Sequence, residues 1–184
     1  MESIQKLPTI QELYGDIEQA KKEDAFLVLM NAEPPLKWVK EHPFIRGYKY
    51  LPIDKIEYLL KKIFKTYKIE VLKSGMLMNA VEVTVRVHYK HPLTGEMMFH
   101  DGVGAQELQT MKDSGTLKAD MSNVNKGAVM MALPIAKTIA IKDACDHFGK
   151  IFGSDLNRKE TMVYSFDEKL NKIDINKIKS QVND

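Results

Sequence analysis

The sequence predicts an α+β fold, and three of its features do so. Residues 81–89 alternate strictly between apolar and polar side chains. A turn bearing Pro92 and Gly95 joins them to a return strand. The longest helical pattern in the chain, Ala132–Gly153, follows downstream. Together they predict a β-β-β-α core, an antiparallel hairpin and sheet packed on one long buried helix, with short flanking helices. A chain of 184 residues holds one domain with a proper core. The reading is therefore a domain over residues 1–156 and a polar C-terminal tail over 157–184, rich in Lys, Asp, Asn and Glu.

Taken in order, Thr9–Lys22 places Ile10, Leu13, Tyr14 and Ile17 among Gln, Glu and Lys, the pattern of a short amphipathic helix entered after Pro8. The apolar run Ala25–Met30 reads as a short strand or a helical turn. It breaks at Pro34-Pro35, and a short helix is expected around Lys37–Lys40. Ile53, Ile56, Leu59, Leu60 and Ile63 recur at helical spacing behind Pro52, so a helix is expected from about Pro52 to Thr66. Lys68–Leu72 reads as a strand. In the alternating strand, Val81, Val83, Val85, Val87 and Tyr89 point to one face, which the long helix must cover. Glu82, Thr84, Arg86, His88 and Lys90 point to the other. Glu96–His100 returns as the partner strand, Asp101-Gly102-Val103-Gly104 closes the sheet, and 107–125 reads as a loop. Ala128–Leu133 forms a first helical segment before Pro134.

In the long helix, Ala132, Ile135, Ala136 and Ile139 make one apolar stripe. Ile141, Cys145, Phe148 and Phe152 make a second, so packing from two sides is expected. Pro134 fits its first turn, and Gly149 and Gly153 fit its end.

Twenty-seven Lys and Arg against 25 Asp and Glu leave a formal charge of +2, so only an uneven distribution could attract a polyanion. Such unevenness occurs in residues 46–73. Eight basic residues there, Arg46, Lys49, Lys55, Lys61, Lys62, Lys65, Lys68 and Lys73, interleave with Tyr48, Tyr50, Tyr58, Phe64 and Tyr67, against only Asp54, Glu57 and Glu70. Single-stranded nucleic acid is held by positive grooves with rings on which bases stack. The row Arg86, His88, Lys90 fits a solvated sheet face and a floor for phosphates equally well. One cysteine, Cys145, precludes an intrachain disulfide and reads as a small buried hydrophobe. No apolar run is long enough to span a bilayer, and no secretory signal pattern opens the chain. A soluble protein of the cytoplasm, the host's if a phage encodes it, is the expectation.

Catalytic patterns are wanting. No G-x-x-x-x-G-K-[ST] loop occurs, Gly102 and Gly104 do not extend to G-x-G-x-x-G, and no serine stands in G-x-S-x-G. His88, His91, His100 and Asp101 are the zinc candidates, but residues 88 and 91 fall on opposite faces of a continued strand. No enzyme activity, metal or cofactor is expected.

Several short stretches carry a resemblance: Tyr48-Lys49-Tyr50-Leu51-Pro52 with Ile56 and Leu60, then Asp101-Gly102-Val103-Gly104, Ala136-Lys137-Thr138, Ala140-Ile141-Lys142, and Phe148-Gly149-Lys150-Ile151-Phe152-Gly153. In this order, across about residues 46–156, they resemble the single-strand annealing proteins of homologous recombination and repair. That superfamily contains the phage Erf, Sak and RecT/Redβ recombinases and the eukaryotic Rad-fifty-two mediators. The resemblance implies subunits joined side by side into a ring or helical filament, with single-stranded DNA along a basic groove and its bases displayed for pairing without ATP. It also implies a DNA contact at Lys142, although Asp143 and Asp146 stand where further basic residues would be expected, and Lys142 can instead pair with Asp146.

The expected function is ATP-independent binding of single-stranded DNA and annealing of complementary strands by a homo-oligomer encoded by a phage or mobile element. Arg46, Lys49, Arg86, His88, Lys90, Lys137 and Lys142 would contact the backbone, and Tyr48 and Tyr50 would stack. A host single-strand binding protein or a phage exonuclease would be further partners. Two other readings stay open: a structural α+β homo-oligomer without a nucleic-acid role, and a small enzyme using the hairpin histidines.

Overall fold

The computed structural model describes residues 15–43, 45–111 and 121–160. The chain divides into two units: Glu33–Arg158, and a second comprising the terminal stretches Met1–Ala32 and Lys159–Asp184, of which residues 15–32 and 159–160 are described.

The described part of the second unit is helix α1, Ile17–Met30. Its N-cap is Asp16, whose carboxylate accepts from the Glu18 and Gln19 N–H groups (2.9 and 3.2 Å). No Pro or Gly interrupts residues 17–30, so the run Ala25–Met30 continues this helix instead of forming a separate strand or turn. The expected start at Thr9 lies outside the described residues.

Glu33–Arg158 is mixed α+β, as the sequence predicts. A 3-10 turn at Leu36–Trp38 leads into a two-stranded antiparallel ribbon, β1 (Lys40–Glu41) and β2 (Lys49–Tyr50). Helix α2 (Ile53–Ile63) follows. Three long strands, β3 (Tyr67–Leu77), β4 (Ala80–Lys90) and β5 (Met97–Glu107), form an antiparallel sheet in the order β3-β4-β5. Helix α3 (Ala128–Asp146) then crosses it, and a 3-10 turn, Lys150–Phe152, completes the unit. The ribbon escapes sequence reading because two-residue strands have no periodicity.

Alternation along β4 is realised as expected. Val81, Val83, Val85, Val87 and Tyr89 are buried, and α3 covers them. The sheet is longer than expected: β3 runs on to Leu77 through a bulge between Val71 and Lys73, and Asp101–Gly104 lies inside β5 instead of closing the sheet.

Those two glycines set the position of α3. A Cβ on Gly102 would collide with the Ala140 carbonyl oxygen and the Ala144 amide nitrogen, and one on Gly104 with the Ala136 carbonyl and the Ala140 amide. The helix backbone therefore lies directly on β5. It does so along Ala128, Ala132, Ala136, Ala140 and Ala144, spaced every four residues and all at most 5 % exposed. At the other end of the sheet the core is aromatic. Phe64, Tyr89, Phe148 and Phe152 pack ring against ring, with centroids 4.6 Å apart for Phe64–Phe148 and 4.8 Å for Phe64–Tyr89 and Tyr89–Phe148. Ile56, Leu59 and Leu60 of α2 are also buried.

Three expectations for the long helix are corrected. It runs from Ala128 to Asp146, and Gly149 and Gly153 flank the following 3-10 turn. Pro134 sits inside it, on an exposed side, which deprives the Met130 carbonyl of its donor four residues on. And it is packed from one side: Ala132, Ala136, Ile141, Cys145, Phe148 and Phe152 are buried, whereas Ile135 and Ile139 are 45 % and 38 % exposed.

The composition boundary at residue 157 also divides what is joined. The Asn157 side chain donates to the Lys49 carbonyl and accepts from its N–H, both at 2.8 Å, fastening the end of the unit to β2.

Gly104→Ala is expected to lower stability by about 3 kcal/mol or more, because backbone on the opposing helix cannot step aside as a flexible side chain could. Gly75→Ala, whose Cβ would meet nothing nearer than the Glu82 side chain at 3.6 Å, should be neutral or stabilise by up to about 1 kcal/mol. Thermal denaturation of the two variants checks this, and equal shifts would refute the close approach.

Candidate nucleic-acid interface

Six of the nine residues expected to meet DNA fall on two separate surfaces of the Glu33–Arg158 unit. Arg86, His88 and Lys90 lie on the outer face of the sheet, away from α3. Tyr48 and Tyr50 face α3 and Lys142 across a groove. Arg46, Lys49 and Lys137 are exposed, with Lys49 lining a smaller adjoining cavity beside Tyr50 and Lys142.

The outer face of the sheet sets acids beside most of its bases, directly opposite Arg86 and diagonally from His88 and Lys73. Arg86 stands opposite Asp101 on β5 and Glu70 on β3. It donates from Nε and Nη2 to the two Asp101 carboxylate oxygens at 2.6 and 2.7 Å, and its guanidinium lies 3.9 Å over the Phe99 ring. This pair holds the Asp101 carboxyl below the usual range and raises Arg86. His88 Nε2 meets Glu70 at 2.8 Å, and Lys73 meets Glu82 at 2.6 Å. Arg86 and His88 are therefore not a free cationic row, and a phosphate there would have to displace carboxylates that already neutralise them. Of the three, Lys90 alone has no ion pair among the described residues.

The histidines do not converge either. His88 is on the outer face, while His100 packs inward against Tyr89 and Phe148, with the Tyr89 hydroxyl 3.1 Å from its Nε2. Burial and the neighbouring His147 push the His100 pKa down. Among the described residues no group of three His, Cys, Asp or Glu is placed to hold a metal ion. Cys145 is fully buried, which raises its thiol pKa and keeps it from acting as a nucleophile.

The groove holds about 750 Å³. One wall is the β1–β2 ribbon, in which the His42 N–H donates to the Tyr48 carbonyl (2.7 Å) and the His42 ring meets the rings of Tyr48 and Tyr50 edge-on, at 6.1 and 6.2 Å. The other wall is the uncovered side of α3: Ile135, Thr138, Ile139 and Lys142, spaced three and four apart. Tyr48 is 45 % exposed, so a ring edge or face is open to a ligand. Lys142 does not form an ion pair with Asp146. Its Nζ stands 4.6 Å over the Tyr50 ring, a cation–π contact, and desolvation pulls its pKa down against the opposing pull of Asp146.

Asp143 and Asp146 have different surroundings. Asp143 accepts from the Val103 N–H (2.9 Å), satisfying a donor that β5 presents on its unpaired edge. Asp146 has no such donor. Desolvation first, and the charge of Asp143 second, raise its pKa to about 6. His42, Ile135, Thr138, Ile139 and Asp146 were not anticipated as groove residues. For Ile135 and Ile139 the signal was their helical spacing, which reads as a buried stripe; Thr138 carries no such signal, and Asp146 reads as a polar position on the helix.

No protein-family model matches the chain, and comparison with curated proteins gives no match.

Because the Asp146 pKa is higher folded than unfolded, its ionisation opposes folding. Its unfavourable contribution grows as pH rises from about 4 through 6. Asp146→Asn should therefore raise the melting temperature at pH 7.5, with the gain vanishing near pH 4. A gain independent of pH would contradict this account.

Proposed function

We propose that this protein binds single-stranded DNA and anneals complementary strands without ATP, acting as a homo-oligomer. The observation that carries the reading is the groove: the half-exposed Tyr48 ring and the Tyr50–Lys142 cation–π pair line a channel of about 750 Å³. A ring stacks on any base irrespective of sequence, and the ammonium meets the phosphate between stacked bases. The exposed Arg46 and Lys49 on the same ribbon extend the positive surface. The resemblance of these same stretches to the single-strand annealing superfamily supports the reading, and so does the lack of any nucleotide-binding loop. Arg86 and His88 have no part in it, since both side chains already pair with carboxylates, Asp101 and Glu70.

A purely structural homo-oligomer is the second reading, and the surface favours it at one point. Met76, Leu77 and Met78 at the β3–β4 turn and Met130 and Met131 on α3 are 49–80 % exposed, apolar side chains that a neighbouring copy would cover. Self-association serves both readings, so DNA binding is what separates them. No helix among the described residues is long and apolar enough to cross a membrane.

Retention on immobilised oligo-dT that weakens steeply between about 50 and 200 mM salt is the expected result. Tyr50→Ala should cost about 1–3 kcal/mol of binding, the range for one stacked base. Lys142→Ala should lower the salt slope by about 0.7, and Arg86→Ala should leave affinity unchanged. Indifference to oligo-dT at low salt would leave the scaffold reading standing alone.

A further inference from the structure

Ion pairing is distributed unevenly over the Glu33–Arg158 unit. On the sheet, Lys68, Lys73, Arg86 and His88 all meet acids. At the C-terminal end of α2 the pattern reverses: Lys61 and Lys62 in the last turn and Lys65 just beyond it are exposed, and none has an ion pair among the described residues. Lys61 and Lys62 lie three and four residues on from Tyr58, on its side of α2, and Lys65, with φ +58°, follows just past the end of the helix. Tyr58 is 48 % exposed and meets the Trp38 ring edge-on, with centroids 5.6 Å apart at 85°. Lys55, held by Asp54 at 2.9 Å, places its ammonium 5.9 Å from the Trp38 ring. Lysines in the last turn of a helix complement its dipole, but the dipole explains neither Lys65, beyond the helix, nor an aromatic pair left open to water beside them.

We propose that this face of α2, formed by Trp38, Tyr58, Lys61, Lys62 and Lys65, is a second contact surface for single-stranded nucleic acid, with residues distinct from those of the Tyr50–Lys142 groove. Charge complementarity selects a polyanion, and the half-open ring pair selects one with unpaired bases. A duplex keeps its base faces stacked inside, and an acidic polypeptide has none. The inference extends the proposed function without depending on the groove, since the lysines and rings of α2 would engage a strand whether or not the groove does.

Trp38 is the only tryptophan in the chain, so its fluorescence reports on this surface. Titration of the full chain with oligo-dT should quench Trp38 emission, and added salt should reverse the quench. In the combined Lys61→Ala, Lys62→Ala, Lys65→Ala variant the salt slope of binding should fall by about 2, with unchanged circular dichroism. Tyr58→Ala should weaken affinity about 5- to 150-fold, the equivalent of one stacked base. Tyr50→Ala should keep the Trp38 quench, and this separates the two surfaces: a groove without effect alongside a persistent quench would remove the groove and retain the α2 face. Unchanged Trp38 emission at saturating oligo-dT would overturn the proposal, as would a triple-lysine variant with the parental salt slope. Equal quenching by poly-glutamate would overturn it in favour of an acidic protein partner.

Discussion

The close approach of α3 to β5 is the constraint on which the rest of this structure depends. Two glycines on the inner face of one strand and alanines at every fourth position of the helix bring backbone against backbone. Larger side chains on either element would hold the helix away from the strand, opening the core over Val83 and Val85 or forcing the helix to slide. Because the contact is backbone against backbone, its register is narrowly specified, and the aromatic cluster of Phe64, Tyr89, Phe148 and Phe152 completes the same layer at the other end.

The groove follows from that placement. An α-helix pressed onto a sheet along its smallest residues turns its larger ones outward and sideways. Ile135, Ile139 and Lys142 therefore belong to the side of α3 that faces the β1–β2 ribbon. Asp143, one residue on from Lys142, reaches the β5 edge and fixes the helix lengthwise through the Val103 N–H. Asn157 fixes the ribbon from the opposite direction through the Lys49 backbone. The groove thus has two independently anchored walls, which hold its rings and its lysine at a constant spacing.

Electrostatics divides the unit in a way its near-neutral composition conceals. On the sheet's outer face Arg86, His88, Lys68 and Lys73 each meet a carboxylate across or diagonal to their strand or along it, so most of its bases are already paired. Unpaired positive charge lies instead on the ribbon, at Lys142 and at the end of α2. Each of these places also holds a tyrosine: Tyr48 and Tyr50 on the ribbon, with Tyr50 beneath Lys142, and Tyr58 on α2. The coincidence of free cations with partly exposed rings is what distinguishes these surfaces from an ordinary solubilising one.

The α+β class, the alternation of β4, the presence of α2 and the helical nature of the Ala128–Asp146 region were legible in the sequence. Periodicity is a local property, and side-chain direction follows from it once the element type is known. The chemical character of Tyr48, Tyr50 and Lys142 was legible too. What tertiary structure decided was every pairing between elements. Arg86 reads as a cation until the register sets Asp101 across from it. Ile135 and Ile139 read as core until Gly102 and Gly104 draw the alanine side of α3 onto the sheet. Asp143 and Asp146 look equivalent until one of them meets a strand-edge N–H. These outcomes depend on residues distant in the chain meeting at fixed distances, and neither spacing nor composition carries that information.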